Sequence, residues 1–355
     1  MQFSIAKDEL VSALGPCASI ASKSGEAYLA CVLVTAKDGD VSFSASDNDQ
    51  MVRISRQSLV TDKGSALIPA AKLYGIVKSM PNGAVTVDTS DEARITSHDV
   101  SFSLPLLNPL DFPNFPRVED PQTALFDADE FVGCFSAAAK FAKRPEKNET
   151  MPILTSIRVD AENGEAHVGS TDSYRIARMT IKAEGDLSCE IPANFVTAIA
   201  ADNPSGKIRI KASGSLVSAE YDDTYRVTRR VTSGKYPNLP QFFKSEPTIE
   251  FEIPVDALKG ATHRLLMIES RSRPARFTIS DRIEIAIDGE DRESYSELVD
   301  ADNIVGEGMF KVSPRYVADA AKEMQGDIAR VRIESPQKPL RFTSQNLDIV
   351  IMPVR

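Results

Sequence analysis

Asp172 and Arg175 stand three residues apart in Thr171-Asp172-Ser173-Tyr174-Arg175-Ile176-Ala177, a carboxylate and a guanidinium close enough to suggest acid–base chemistry. The alternating run Ala166, Val168, Ser170 before them reads as a half-buried strand, which puts the pair at a strand end or bend. An aspartate in such a bend more often bonds nearby backbone than a substrate, so catalysis is not the favoured reading. No G-x-x-x-x-G-K-[ST] loop, G-x-G-x-x-G fingerprint or G-x-S-x-G elbow occurs elsewhere. The three histidines, His98, His167 and His263, lack metal spacing. Cys17, Cys31, Cys134 and Cys189 are scattered without C-x-x-C, as buried or idle thiols would be. Neither a catalytic centre, a metal nor a cofactor is expected.

What must position the 171–177 stretch is a large repeated unit. Ser44-Ala45-Ser46-Asp47-Asn48-Asp49-Gln50-Met51-Val52-Arg53-Ile54 is a worn copy of it, with Asp47 placed 125 residues before Asp172. Three times a short strand (Phe3–Ile5, Leu125–Phe126, Ile249–Ile253) precedes a helical segment: Asp8 to about Ala21, Asp127 to about Ala142, Val255 to about Ile268. Turn signals follow at Lys37-Asp38-Gly39-Asp40, Glu162-Asn163-Gly164 and Asp288-Gly289. A second helix opens at Pro69, Pro192 and Pro314, where proline suits the first helical position and Ser313 is a candidate cap. Alternating strands come next at Val85–Val87, Ile208–Ile210 and Val331–Ile333. Asp111-Phe112-Pro113-Asn114-Phe115-Pro116 returns as Lys235-Tyr236-Pro237-Asn238-Leu239-Pro240. A period this long is a duplicated domain rather than a solenoid repeat.

The expected class is therefore α+β, three tandem copies over 1–120, 121–246 and 247–355. Two helices cannot cover both faces of such antiparallel sheets, so they lie together on one side. At 355 residues each copy has room for its own core, and 42% hydrophobic with 26% charged residues is an ordinary globular composition. No apolar run approaches the roughly 18 residues that span a bilayer, and the alternating start lacks a secretory leader's apolar stretch. A cytoplasmic protein without a membrane partner is the expectation.

A net charge of −10 argues against indiscriminate coating of nucleic acid, yet the helices carry cations on one side. Lys72 and Lys78 point away from the apolar stripe Leu73, Ile76, Val77, Met80. Arg315 and Lys322 do the same against Val317, Ala320, Ala321, Met324. Lys140, Lys143, Arg144 and Lys147 end the first helix of the second copy, the first three at i, i+3, i+4, and Lys259, His263 and Arg264 belong to that of the third. A solvated helix face explains any single lysine. The same face basic in several copies of an acidic chain suggests loose phosphate contact.

With these repeats, Thr171–Ala177, Tyr236–Pro240 and the terminal Val350-Ile351-Met352-Pro353-Val354-Arg355, the whole chain resembles the beta subunit of bacterial DNA polymerase III, the sliding clamp. The resemblance implies three DNA-clamp domains per chain and a head-to-tail homodimer closed into a ring around double-stranded DNA, held without sequence preference. It also implies tethering of the replicative DNA polymerase, a clamp loader and other clamp-binding-motif proteins through a short peptide. The implied pocket lies between the second and third domains, at Leu154, Thr171, Ser173, Tyr174, Arg175, Ile176, Pro237, Phe242, Val350, Met352, Pro353, Val354 and Arg355. Apolar members suit a cleft, Met352 adapts to varied ligands, and Arg175 would orient an extended peptide. The family usually has Gly-His at Ser173-Tyr174, and often basic residues at Gln241 and at Ala193 or Asn194. Phe102 and Leu104 would meet Met267 and Ile268 of a second copy, with Arg271, Arg273, Arg276 and Arg282 adding ion pairs. The expected function is a non-catalytic DNA polymerase processivity factor; the alternative is a monomeric adaptor that binds partner peptides without encircling DNA.

Overall fold

The structure, a computed structural model, describes residues 1–21, 25–146, 150–244, 246–268, 273–288 and 293–354. One order of elements recurs three times. It begins with β1 (Gln2–Ala6), α1 (Lys7–Ala21), β2 (Cys31–Lys37), β3 (Asp40–Ser46), β4 (Gln50–Gln57), β5 (Leu59–Asp62), β6 (Gly64–Pro69), α2 (Ala70–Ser79), β7 (Ala84–Asp88), β8 (Ala93–Ser97) and β9 (Val100–Leu104). Next come β10 (Gln122–Asp127), α3 (Ala128–Ala139), β11 (Ser156–Glu162), β12 (Glu165–Thr171), β13 (Arg175–Lys182), β14 (Glu184–Pro192), α4 (Ala193–Ala201), β15 (Lys207–Ser213), β16 (Leu216–Tyr221) and β17 (Thr224–Arg229). The last set is β18 (Ile249–Pro254), α5 (Val255–Leu265), β19 (Ala275–Ile279), β20 (Ile283–Asp288), β21 (Ser294–Val299), β22 (Asp302–Val305), β23 (Gly308–Val312), α6 (Pro314–Glu323), β24 (Ile328–Ile333), β25 (Leu340–Ser344) and β26 (Leu347–Ile351).

The chain forms two compact units, Met1–Val132 with Glu184–Leu187 and Asn194–Thr232, and Gly133–Ala183 with Ser188–Ala193 and Ser233–Arg355. In the first, β5-β1-β7-β8-β9 is a five-stranded sheet. A second ladder runs β6-β2-β3-β4-β17-β16-β15-β10. Phe3, Phe43, Leu10, Leu14, Leu73 and Val77 form the core between these strands and α1 with α2, which pack on each other. In the second unit the ladder is β11-β12-β13-β26-β25-β24-β18, beside the sheet β21-β20-β19-β23, and α5 packs on α6. All these pairings are antiparallel. The period-two alternation that marked the strands fits such sheets, in which every second side chain enters the core and the others face solvent.

A glycine at one recurring place shows how closely the copies agree. Gly64, Gly185 and Gly306 follow each other at intervals of 121 residues with φ of 152°, 95° and 76°. A Cβ there would lie 3.3 Å from Met1 Cβ, 2.4 Å from Thr123 O and 2.3 Å from Thr248 O, at or just before the first strand of each copy. Only glycine gives both the backbone angle and the clearance.

Several boundaries differ from expectation. The third helix, α3, stops at Ala139, not Ala142: Lys140 N and Phe141 N bond Ala137 O and Ala138 O, and Lys143 N turns away to Leu154 O. Pro145 disfavours helical backbone at Arg144. The helical i, i+3, i+4 face assigned to Lys140, Lys143 and Arg144 therefore does not exist; they line a turn and the chain after it. Pro69 and Pro192 end strands, with the helix starting one residue on, while Pro314 is the first helical residue. Ser313 precedes it without a side-chain capping bond. The hairpin of the third copy that matches Lys37–Asp40 turns at Ser280-Asp281-Arg282, one hairpin before Asp288.

Candidate functional site

Asp172 does what an aspartate in a bend does. Its Oδ1 accepts from Tyr174 N at 3.0 Å and Arg175 N at 2.8 Å, while Ser173 takes a φ of 80°. The copy at Asp47 is alike: Oδ1 accepts from Asp49 N and Gln50 N at 3.1 and 2.8 Å, and Asn48 has a φ of 76°. Thr171 closes the bend, its hydroxyl donating to Arg175 O at 2.7 Å and accepting from Ser173 N at 3.1 Å.

Arg175, expected to orient a peptide, is engaged within the protein. It is only 8% exposed. Its Nε donates to Asp172 Oδ2 at 3.0 Å, Nη1 to Asp319 Oδ2 at 2.7 Å, and Nη2 to Lys140 O at 3.4 Å. Its planar faces lie 5.1 Å from the Phe141 ring and 4.6 Å from the Tyr316 ring. A guanidinium so enclosed ties the bend to α6 and is spent on the protein itself.

Around this post the expected residues divide. Leu154, Thr171, Ile176 and Val350 are buried, with Ile176 opposite Val350 where β13 meets β26. Ser173, Tyr174, Met352 and Val354 are exposed, and Pro237, Phe242 and Pro353 partly so. Met352 N donates to Tyr174 O and Val354 N to Lys311 O, both at 2.9 Å, which lays the C-terminal residues beside the bend. The buried members are floor; the exposed ones are what a ligand meets. Tyr236 Oη holds its strap by donating to Ser156 O at 3.0 Å, and burial raises its pKa. Arg178 and Arg341 stack on Phe243, next to Phe242. Arg355 lies outside the described residues.

Sequence reasoning missed two residues here. Tyr316 stacks on Tyr174 with centroids 6.2 Å apart at 27°, and Asp319 pairs with Arg175. Both lie on α6 three residues apart, directly before the buried positions Val317 and Ala320, and that spacing was the available signal.

Of the residues assigned to DNA, Lys72, Lys78, Lys140, Arg144, Arg264, Arg315 and Lys322 are exposed, and Lys143 and Lys259 half-exposed. Lys140 Nζ is 2.7 Å from Glu323, and Arg264 makes a bidentate pair with Glu297 at 2.7 and 2.6 Å. Those two cations are already partly neutralised. Lys147 lies outside the described residues. Of the dimer-contact residues, Phe102 on β9 and Met267 are 39% and 68% exposed. Ile268 is half-buried, and Leu104 sits in its own core at 7%. Arg282 pairs with Asp300 at 2.8 Å, and Arg271 lies outside the described residues. β9 and β21 are each the last strand of their sheet.

Residues 1–116 match the family "DNA polymerase III beta subunit, N-terminal domain", and residues 137–238 "DNA polymerase III beta subunit, central domain". The beta sliding clamp of Micrococcus luteus is 26% identical over 291 residues, covering 79% of this chain and 92% of that protein. That of Bacillus subtilis is 25% identical over 382 residues, covering 100% of both. The crystal structure of the Bacillus subtilis DNA polymerase sliding clamp superposes with a TM-score of 0.93 at 22% identity, covering 100% of this chain and 99% of that one. Both matched regions name one protein and together take in well over half the sequence: the chain belongs to the DNA polymerase III beta subunit family, the beta sliding clamps.

Proposed function

We propose that this chain is a DNA polymerase processivity factor, a clamp that encircles duplex DNA as a head-to-tail homodimer and tethers the polymerase and other partners through a peptide site beside Thr171–Arg175. It works by topology, not bond chemistry, in the cytoplasm. Family membership joined to a like fold over the full length carries this reading. The chain's domains would be 1–120, 121–246 and 247–355, a division that the threefold recurrence of elements supports. The edge strands β9 and β21, bearing Phe102 and the 55%-exposed Leu298, suit pairing between copies, because an unpaired apolar edge left in water invites association.

The peptide enters over Tyr174, Met352 and Val354, with the buried Leu154, Ile176 and Val350 beneath. Lys72, Lys78, Lys143, Arg144, Lys259, Arg315 and Lys322 give weak phosphate contacts. A closed ring needs no more, since it leaves DNA only by opening. Two measurements test the reading together. In solution the mass is roughly twice the 38.7 kDa of one chain, and primer extension by the cognate polymerase on circular template lengthens when the protein is loaded. A single-chain mass with unchanged product length would point to the peptide-binding adaptor instead.

A further inference from the structure

The internal repeat supplies a filled and an empty version of one arrangement. Arg53 on β4 and Arg178 on β13 each come six residues after the bend aspartate, Asp47 or Asp172. Each guanidinium lies on a phenylalanine near the proline-rich strap: Arg53 4.1 Å from the Phe115 ring, Arg178 4.0 Å from Phe243. Each has one residue opposite it on the next strand, and here the copies part. Opposite Arg178 is Asp348; opposite Arg53 is Tyr225.

Asp348 shows what the arrangement holds. Its carboxylate accepts from Arg178 Nη2 at 2.6 Å, Arg341 Nη2 at 2.9 Å and Thr343 Oγ1 at 2.7 Å. Burial raises its pKa, and the bonds from Thr343, Arg178 and Arg341 more than offset that, leaving it below the usual carboxylate range. At Arg53 no carboxylate partner is present among the described residues; Nε reaches only Ser44 Oγ, at 3.4 Å. Beside it is a hollow of about 410 Å³ that also involves Ser55, Arg209, Glu220 and Tyr225. Glu220 is engaged by Lys211 at 2.5 Å and by Arg209 at 3.4 Å, and Asp222 by Ser205 at 2.7 and 2.8 Å. Asp223 remains at the rim. Phe115 strips water from one side of Arg53, and this desolvation, only partly countered by Tyr225, lowers its pKa.

We infer that the Arg53 hollow is a second docking point, taking one carboxylate side chain from an acidic peptide of a partner protein, in the place that Asp348 fills in the other copy. Two guanidiniums, Arg53 and the loosely held Arg209, face the hollow as Arg178 and Arg341 face Asp348. The Asp223 rim disfavours a phosphate dianion more than a single carboxylate. This point is separate from the Thr171–Arg175 site and does not depend on encirclement of DNA.

Arginine footprinting of the intact protein with phenylglyoxal, read residue by residue by mass spectrometry, tests it. A pentapeptide with one central aspartate, near saturation, slows modification of Arg53 at least about threefold, by simple mass action. The exposed Arg117 is unaffected, and the asparagine counterpart peptide gives no protection. Tyr225→Asp, which restores the missing carboxylate from within, slows Arg53 modification with no peptide present. Equal Arg53 rates with and without the aspartate peptide, equal protection by the asparagine peptide, or stronger protection by inorganic phosphate would each overturn the inference. The wild-type footprint alone decides the matter if Tyr225→Asp does not fold.

Discussion

A single guanidinium organises the bend on which the sequence reading turned. Arg175 serves two carboxylates and a carbonyl while almost wholly enclosed, and removing it strands Asp172, whose side chain is 15% exposed. Breaking a buried pair from one side leaves an uncompensated charge. Arg175→Gln is therefore expected to lower unfolding stability by about 3 kcal/mol in denaturant titration. Partner-peptide affinity should fall as well, because Tyr174 and Met352 lose their support. Asp348 makes a second prediction at this scale. Its carboxyl ionises more readily folded than unfolded, so its contribution is complete above roughly pH 4 and disappears as pH falls through the folded-state pKa. Asp348→Asn should cost about 2 kcal/mol at pH 7, and the gap to wild type should close on acidification below pH 4. A gap that stays constant with pH would mean the bonds act irrespective of charge.

Among the elements, first strands and the glycines beside them define each copy. Gly185→Ala forces a methyl to within 2.4 Å of Thr123 O and a left-handed φ of 95° on a side chain. The expected loss is at least about 2 kcal/mol. Gly39 has a similar φ of 89° but nothing within 4 Å, so Gly39→Ala should cost only about 1 kcal/mol. Thermal unfolding of the two variants side by side separates steric contact from backbone preference. The end of α3 belongs at this scale too. Helical periodicity placed Lys140, Lys143 and Arg144 on one face, but a proline ahead and a carbonyl waiting at Leu154 ended the helix first.

For the molecule as a whole, the cations assigned to DNA give different outcomes. Reversing Lys143 and Arg144 to Glu should shorten retention on closed circular DNA, with a shallower salt dependence, and leave the dimer mass unchanged. Arg264→Glu should act mainly through its lost pairing with Glu297. Phe102→Asp should halve the solution mass, because a charge on an apolar edge strand opposes association between copies. A dimer that survives it would move the contact away from β9.

The sequence by itself determined the threefold order of elements, the bend chemistry at Asp47 and Asp172, and the family. All of these are written in spacing, in turn residues and in short-range alternation. It read α3 one turn too long. Helical spacing placed Tyr316 and Asp319 on one face of α6 but could not join them to a bend more than 140 residues away. Tertiary structure decided which cations meet carboxylates, as Lys140 and Arg264 do, and which aromatic side chains meet. It also decided that Asp348 answers Arg178 while Tyr225 faces Arg53. Such choices are made where strands from different copies pair, and strand register across that distance follows from packing and not from local pattern.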